Sequence, residues 1–132
     1  MLRLTKKIEY ALIAISYVSK KNKDELSSSN EISLACNVPK QLLAKIMQSL
    51  TKSGYLNAVK GSKGGYCIGT SLDKIKLIDF IESIEGPFGL VGCQIDEYCE
   101  IIDSCEIKNP IFKINENIKT IFKETSLLDI TA

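Results

Sequence analysis

The sequence predicts a mainly α-helical chain with one small β-hairpin, a winged helix-turn-helix followed by a long carboxy-terminal helix. Three observations carry this. Residues 28–54 hold two helical patterns separated by Asn37 and Pro39. Two short strand patterns then flank Lys60-Gly-Ser-Lys-Gly-Gly65. Further on, Ile111, Ile114, Ile118 and Ile121 recur at spacings of 3, 4 and 3. With 132 residues, 45% of them apolar, the chain reads as one folding unit with a modest core.

Thr5 is a candidate cap for a first helix running to about Ser19, with Ile8, Ala11, Leu12, Ile15 and Val18 or Ser19 on one face. The polar stretch Lys20 to Ser29 reads as an exposed loop. Ser28 and Glu31 stand three apart as a capping box. They open a short helix, Ile32 to Cys36, which Asn37 ends in the left-handed conformation. Val38-Pro39 opens the third helix, with Pro39 at its first position, where a missing N–H costs nothing. Leu42, Leu43, Ile46, Met47 and Leu50 face inward there; Lys40, Gln41, Ala44, Lys45 and Gln48 fall largely on the other side, and Gly54 follows the end. Tyr55 to Val59 and Tyr66 to Ile68 read as the strands of the wing.

Leu77 to Glu85 makes a fourth helix, with Leu77, Ile78, Ile81 and Ile84 inward and Asp79, Glu82 and Glu85 outward. Gly86-Pro87 stops it. Asn109-Pro110 begins the last helix, which runs to about Glu124. Its isoleucines form a heptad seam flanked by Phe112 and Phe122. In so small a chain the seam is expected to face a second copy, as a dimerisation helix. The expected organisation is a winged DNA-binding domain over 1–86, a cysteine-bearing loop over 87–109, and the dimerisation helix and tail over 110–132.

The net charge of +1 hides an asymmetry: residues 1–70 carry +7 and residues 71–132 carry −6. A basic half containing a helix-turn-helix and a wing points to double-stranded DNA. Pro39, Lys40, Gln41 and Lys45, at the start of the second helix of the motif, are the candidates for the major groove. Lys60, Ser62 and Lys63, on the glycine-rich tip, are the candidates for phosphates or the minor groove. A homodimer would read a pseudo-palindromic operator. The glycine-rich turn lies between two strands, so it does not match a nucleotide-binding loop, which joins a strand to a helix.

The five cysteines are an odd number, and histidine is absent. No apolar run is long enough to span a membrane, and no secretory signal is evident, so a cytoplasmic protein with reduced or metal-bound thiols is expected. Cys93, Cys99 and Cys105 are each separated by five residues. Positions six apart on a straight helix point about 240° apart, so converging thiols require a loop that folds back. Structural zinc usually takes four Cys or His ligands, often in C-x₂₋₄-C pairs, and this sequence has neither. Three thiolates with one open position suit an iron–sulfur cluster better. Asp96, Glu97, Glu100, Asp103 and Glu106 would disfavour its reduced, more negative state. The alternative is a cluster-free thiol switch that oxidises to disulfide or sulfenic acid. Cys36 and Cys67 read as packing residues. An enzyme is not expected: histidine, a nucleophile–base pair and a nucleotide loop are all lacking, and the chain is too short for an added substrate domain.

Leu4-Thr-Lys-Lys-Ile-Glu-Tyr-Ala-Leu12, the helix-turn-helix Ile32 to Tyr55, Lys60-Gly-Ser-Lys-Gly-Gly-Tyr66, Ile75-Lys-Leu-Ile-Asp-Phe-Ile81, Ile84-Glu-Gly86 and the spaced cysteines follow in order over nearly the whole chain. Together they resemble a family of bacterial transcription regulators that includes the iron–sulfur cluster assembly regulator IscR and the nitric-oxide-sensing repressor NsrR. The resemblance implies a homodimer with crossed carboxy-terminal helices and a cluster on Cys93, Cys99 and Cys105 that sets DNA affinity. Members with a histidine after the third cysteine use it as a ligand; this chain has Lys108 in that region. Other members use an acidic residue of the partner's first helix, and Glu9 matches that position. A backbone atom, a small thiol or water are the other fourth ligands in view. Glu9 tips the resemblance slightly toward [4Fe–4S] over [2Fe–2S], and toward the nitric-oxide-responsive kind of regulator. Iron supply, cluster demand and oxidative stress are also compatible signals.

Overall fold

The computed structural model describes residues 3–22, 24–94 and 100–131. Among these lie six helices and one hairpin: α1 (Lys6–Ser19), α2 (Ser29–Cys36), α3 (Lys40–Lys52), β1 (Leu56–Val59), β2 (Gly65–Ile68), α4 (Leu77–Glu85), α5 (Lys108–Glu124) and α6 (Leu127–Thr131). The expected fold class, mainly α with a two-stranded wing, is the observed one. Ile8, Ala11 and Ile15 of α1, Ile32 of α2, Leu43, Ile46, Met47 and Leu50 of α3, Leu56 and Phe80 meet in a single core.

Thr5 caps α1 by accepting from the Ile8 N–H (3.3 Å). Ser28 caps α2 by accepting from the Glu31 N–H (3.0 Å). The Glu31 carboxylate does not complete a capping box. It accepts from the Tyr17 hydroxyl (2.7 Å) and lies 3.1 Å from Lys21 Nζ, so it ties α2 to α1 instead. Those two bonds, Tyr17 first, hold its carboxyl below the ordinary glutamate range. Asn37 has φ 56°, the left-handed turn expected between α2 and α3. Pro39 occupies the cap position of α3, one residue earlier than expected, and Gly54 (φ +82°) follows its end.

β1 and β2 pair antiparallel, Leu56 opposite Ile68 and Val59 opposite Gly65. The stretch before α2 is not wholly exposed. Ser27 is fully buried and exchanges two backbone hydrogen bonds with Tyr66, at 2.8 and 3.0 Å, which adds a third edge to the wing. Gly65 permits this approach: a Cβ there would stand 2.8 Å from the Ser27 carbonyl oxygen.

α4 has the expected bounds, but Phe80, omitted from its expected inward face, is wholly buried and packs beside Tyr55. Among the described residues, the element least visible beforehand is α6. After α5 the chain turns back, Leu77 N–H donates to the Thr125 carbonyl (2.8 Å), Leu127 N–H donates to that of Ile75 (2.9 Å), and Leu127 enters the core. The tail thereby packs on the winged body.

Candidate DNA interface and cysteine centre

The amphipathic pattern of α3 sorts its residues cleanly. Leu43, Ile46, Met47 and Leu50 are buried, and Pro39, Lys40, Gln41, Lys45 and Gln48 are exposed. The exposed set contains every residue expected to reach a major groove. At the wing tip Lys60, Ser62 and Lys63 are all exposed. The turn between them closes through a Gly64 N–H bond to the Gly61 carbonyl (3.0 Å). A Cβ on Gly64 would fall 2.1 Å from the Val59 carbonyl oxygen, so the tight tip depends on glycine there. Two cationic surfaces, a helix start and a hairpin tip, are thus built on one rigid core.

The segment between α4 and α5 is held mainly by its first arm. Phe88 N–H donates to Glu82 Oε2 (2.8 Å), and the Phe88 ring meets Phe122 of α5 edge-on at 5.6 Å. Leu90 N–H is shared by Gln94 Oε1 and Asn115 Oδ1, both at 3.0 Å, and Val91 N–H also reaches Gln94 Oε1 (3.3 Å). Cys93 sits on a short 3-10 turn, Gly92–Gln94, directly after these contacts.

Cys93 and Cys105 line one cleft of about 280 Å³, whose other walls are Val91, Gly92, Ile101, Ile107, Lys108 and Ile111. Cys99 lies outside the described residues, as do Asp96 and Glu97. Among the described residues no three His, Cys, Asp or Glu side chains gather as a metal-holding group. The fit to an iron–sulfur cluster rests on two soft sulfurs that share one cleft, the donor type such clusters take. Glu9 lies elsewhere on its own chain. It pairs with Lys6 (3.1 Å) and borders a hollow with Arg3, Leu4 and Thr5. Cys36 is half-buried at the edge of the core, and burial pushes its thiol above the ordinary range, as for a packing residue.

The isoleucine seam of α5 divides in two. Ile114 and Ile121, seven apart, are 49% and 59% exposed, and Ile107, the cap residue one heptad before Ile114 and outside the expected seam, is 59% exposed. Ile111 and Ile118 turn inward and are half-buried. Leu4, Phe88, Leu90, Ile118 and Phe122, together with Arg3 and Gly89, line a further groove of about 400 Å³ between the start of α1 and α5. Sequence reasoning missed Gln94 and Asn115. The signal for Asn115 was available: it shares the inward stripe of α5 with Ile111, Ile118 and Phe122, where a polar side chain needs a partner.

A family model described as that of an iron-dependent transcriptional regulator, Rrf2, matches residues 4–132. The chain belongs to the Rrf2 family of transcription regulators. The solved structures similar to this Rrf2 chain include CymR, the global cysteine regulator of B. subtilis, with 26% identity, 99% of this chain and 97% of that one covered, and a TM-score of 0.78. CymR of Staphylococcus aureus in an oxidized form is 20% identical, with 98% and 96% covered and a TM-score of 0.75. IscR of T. potens is 20% identical, with 98% and 85% covered and a TM-score of 0.73. The resemblance read from the sequence therefore holds at the level of family and fold. As an Rrf2 member the chain is a DNA-binding transcription regulator rather than an enzyme. No described helix is long and apolar enough to cross a membrane.

Proposed function

We propose that this Rrf2 regulator is a cytoplasmic homodimeric repressor whose operator affinity is set by an iron–sulfur cluster on Cys93, Cys99 and Cys105. The observation that carries the reading is the shared cleft of Cys93 and Cys105, which brings together two thiols twelve positions apart in the chain. The cluster supplies a group that oxidants, nitric oxide or iron loss can alter. Glu9 of the second subunit is the proposed fourth ligand, a hard donor beside three soft ones and hence the place where the site opens. With that assignment a [4Fe–4S] cluster is slightly favoured over [2Fe–2S]. The exposed Ile107, Ile114 and Ile121 supply the face for the second copy. The change at the loop acts by shifting a two-state equilibrium in the spacing of the α3 helices.

The test is anaerobic purification followed by a visible spectrum and by iron and sulfide counts per subunit. About four of each are expected. Colourless protein that binds an operator selected from a random DNA pool with full specificity would sink the reading. In that event the cluster-free thiol switch takes its place, and its support is the same cleft, where two thiols share one wall.

On the DNA, Lys40, Gln41 and Lys45, with Pro39 at the helix start, enter the major groove of each half of a pseudo-palindromic operator. Lys60, Ser62 and Lys63 contact the backbone or minor groove beside it. Lys63→Ala is expected to lower the slope of log affinity against log salt by about 0.9 for each contact removed, and by twice that for a symmetric dimer. Fluorescence anisotropy at several salt concentrations measures this. An unchanged slope would remove Lys63 from the phosphate contacts.

A further inference from the structure

Only one residue of α5 is fully buried, and it is polar. Asn115 is 3% exposed, and its Oδ1 accepts from a backbone N–H of the cysteine loop, that of Leu90. Gln94, next to Cys93, accepts from the same N–H and from that of Val91. A carboxamide from the helix and one from the loop therefore close on two consecutive amides, one of which they share. A buried amide stripped of its acceptor costs free energy, so the arrangement favours one docked position of the Cys93 arm. Gln94 Nε2 is buried and finds no acceptor among the described residues. A buried amide donor left over calls for a partner.

The other end of the loop is held differently. The described hydrogen bonds of residues 100–107 are short-range: Ser104 N–H and its hydroxyl both donate to the Ile101 carbonyl. Cys105 thus sits on a locally folded arm that runs straight into α5, and Cys93 sits on the arm fastened to the middle of that helix.

We propose that Asn115 and Gln94 are positioning residues that latch the Cys93 arm to α5, so that a change at the loop thiols is transmitted to the pairing helix. Gln94 Oε1 and Asn115 Oδ1 form the latch. The inference rests on the sensing reading above and adds to it the route from thiol to helix.

The test uses the full-length protein, metal-free and reduced, with amide exchange followed residue by residue by nuclear magnetic resonance. Asn115→Leu is expected to speed exchange at Leu90, and Gln94→Ala at Val91, each about tenfold, as loss of one hydrogen bond predicts. Gln94→Glu retains the acceptor oxygens and is expected to keep the protection. Alkylating the loop thiols with N-ethylmaleimide, verified by mass, should alter exchange across residues 110–124 in the wild type and leave it unaltered in Asn115→Leu and Gln94→Ala. A merely structural role would not abolish that difference. Unchanged exchange at Leu90 and Val91, or an alkylation effect that survives in both variants or is absent from the wild type, overturns the latch. Should Asn115→Leu fail to fold, the half-buried Gln94 variants decide alone. The iron count tests the sensing reading separately, so the two can fail independently.

Discussion

Replacing Ile121 with glutamate is expected to separate the subunits and to weaken operator binding at least about 100-fold. Ile121 is 59% exposed on α5, one heptad from Ile114 and two from Ile107, which are exposed to a similar degree. A carboxylate there is solvated in the single subunit, so the winged body keeps its fold. In a pair of crossed α5 helices each copy would place an unpaired charge inside an apolar seam. That burial costs several kcal/mol, on the order of 3–5, and each 1.4 is a factor of about ten in the dissociation constant. Two half-sites would then be bound by separate molecules, and the gain from linking them disappears. Sedimentation velocity reports the mass, circular dichroism the retained helix, and anisotropy the affinity. A variant still dimeric at micromolar concentration with unchanged operator binding would move the interface off this face.

Cys93→Ala is expected to abolish the visible absorbance and the bound iron of anaerobic protein. The dependence of operator affinity on cluster state should vanish with them, a difference of about 5- to 150-fold for sites coupled in this way. Two properties make Cys93 the informative position: it shares its cleft with Cys105, and its arm is fastened to α4 and α5. Glu9→Ala serves as the companion. With three thiolates intact it should still bind iron but lose it faster in air or nitric oxide. Equal iron content and equal cluster lifetime in Glu9→Ala would exclude Glu9 as the fourth ligand. Retention of colour in Cys93→Ala would count against ligation by the cysteine loop.

Much of the fold was legible because local chemistry and long-range packing agree. Thr5, Ser28, Asn37 and Gly54 mark helix ends by mechanisms confined to a few residues, and each acts as expected. The α3 stripe could be read directly because its two faces differ so sharply. Phe80 was missed because α4 is apolar over an arc wide enough to hold several candidate faces, and only the tertiary neighbours choose among them. Glu31 has the spacing of a capping box, yet Tyr17 of α1 and Lys21 just after that helix compete for its carboxylate, which no local pattern contains. The short α6 owes its existence to Leu127 finding the core and to two backbone bonds that join Leu127 to Ile75 and Thr125 to Leu77, far apart in the sequence. At the site, the spacing of the cysteines announced a loop with a purpose. The carboxamides that fasten it lay among residues that carry no such signature.

The course of the chain after Thr125 bears on how α5 can move. A helix attached to the body at one end could swing like an oar. This one is held near its middle by Asn115, and beyond its end by Leu127 and the strand-like pairing of Lys76 with Ser126. It behaves as a beam resting on two supports. Two supports oppose a swing more than they oppose a small roll about its own axis or a slide along it. In the proposed dimer, two crossed helices that roll in this way would change the distance between the two α3 helices by a small stroke. That stroke is short, but DNA is an exacting ruler, and a misfit of that size is enough to break register with a groove.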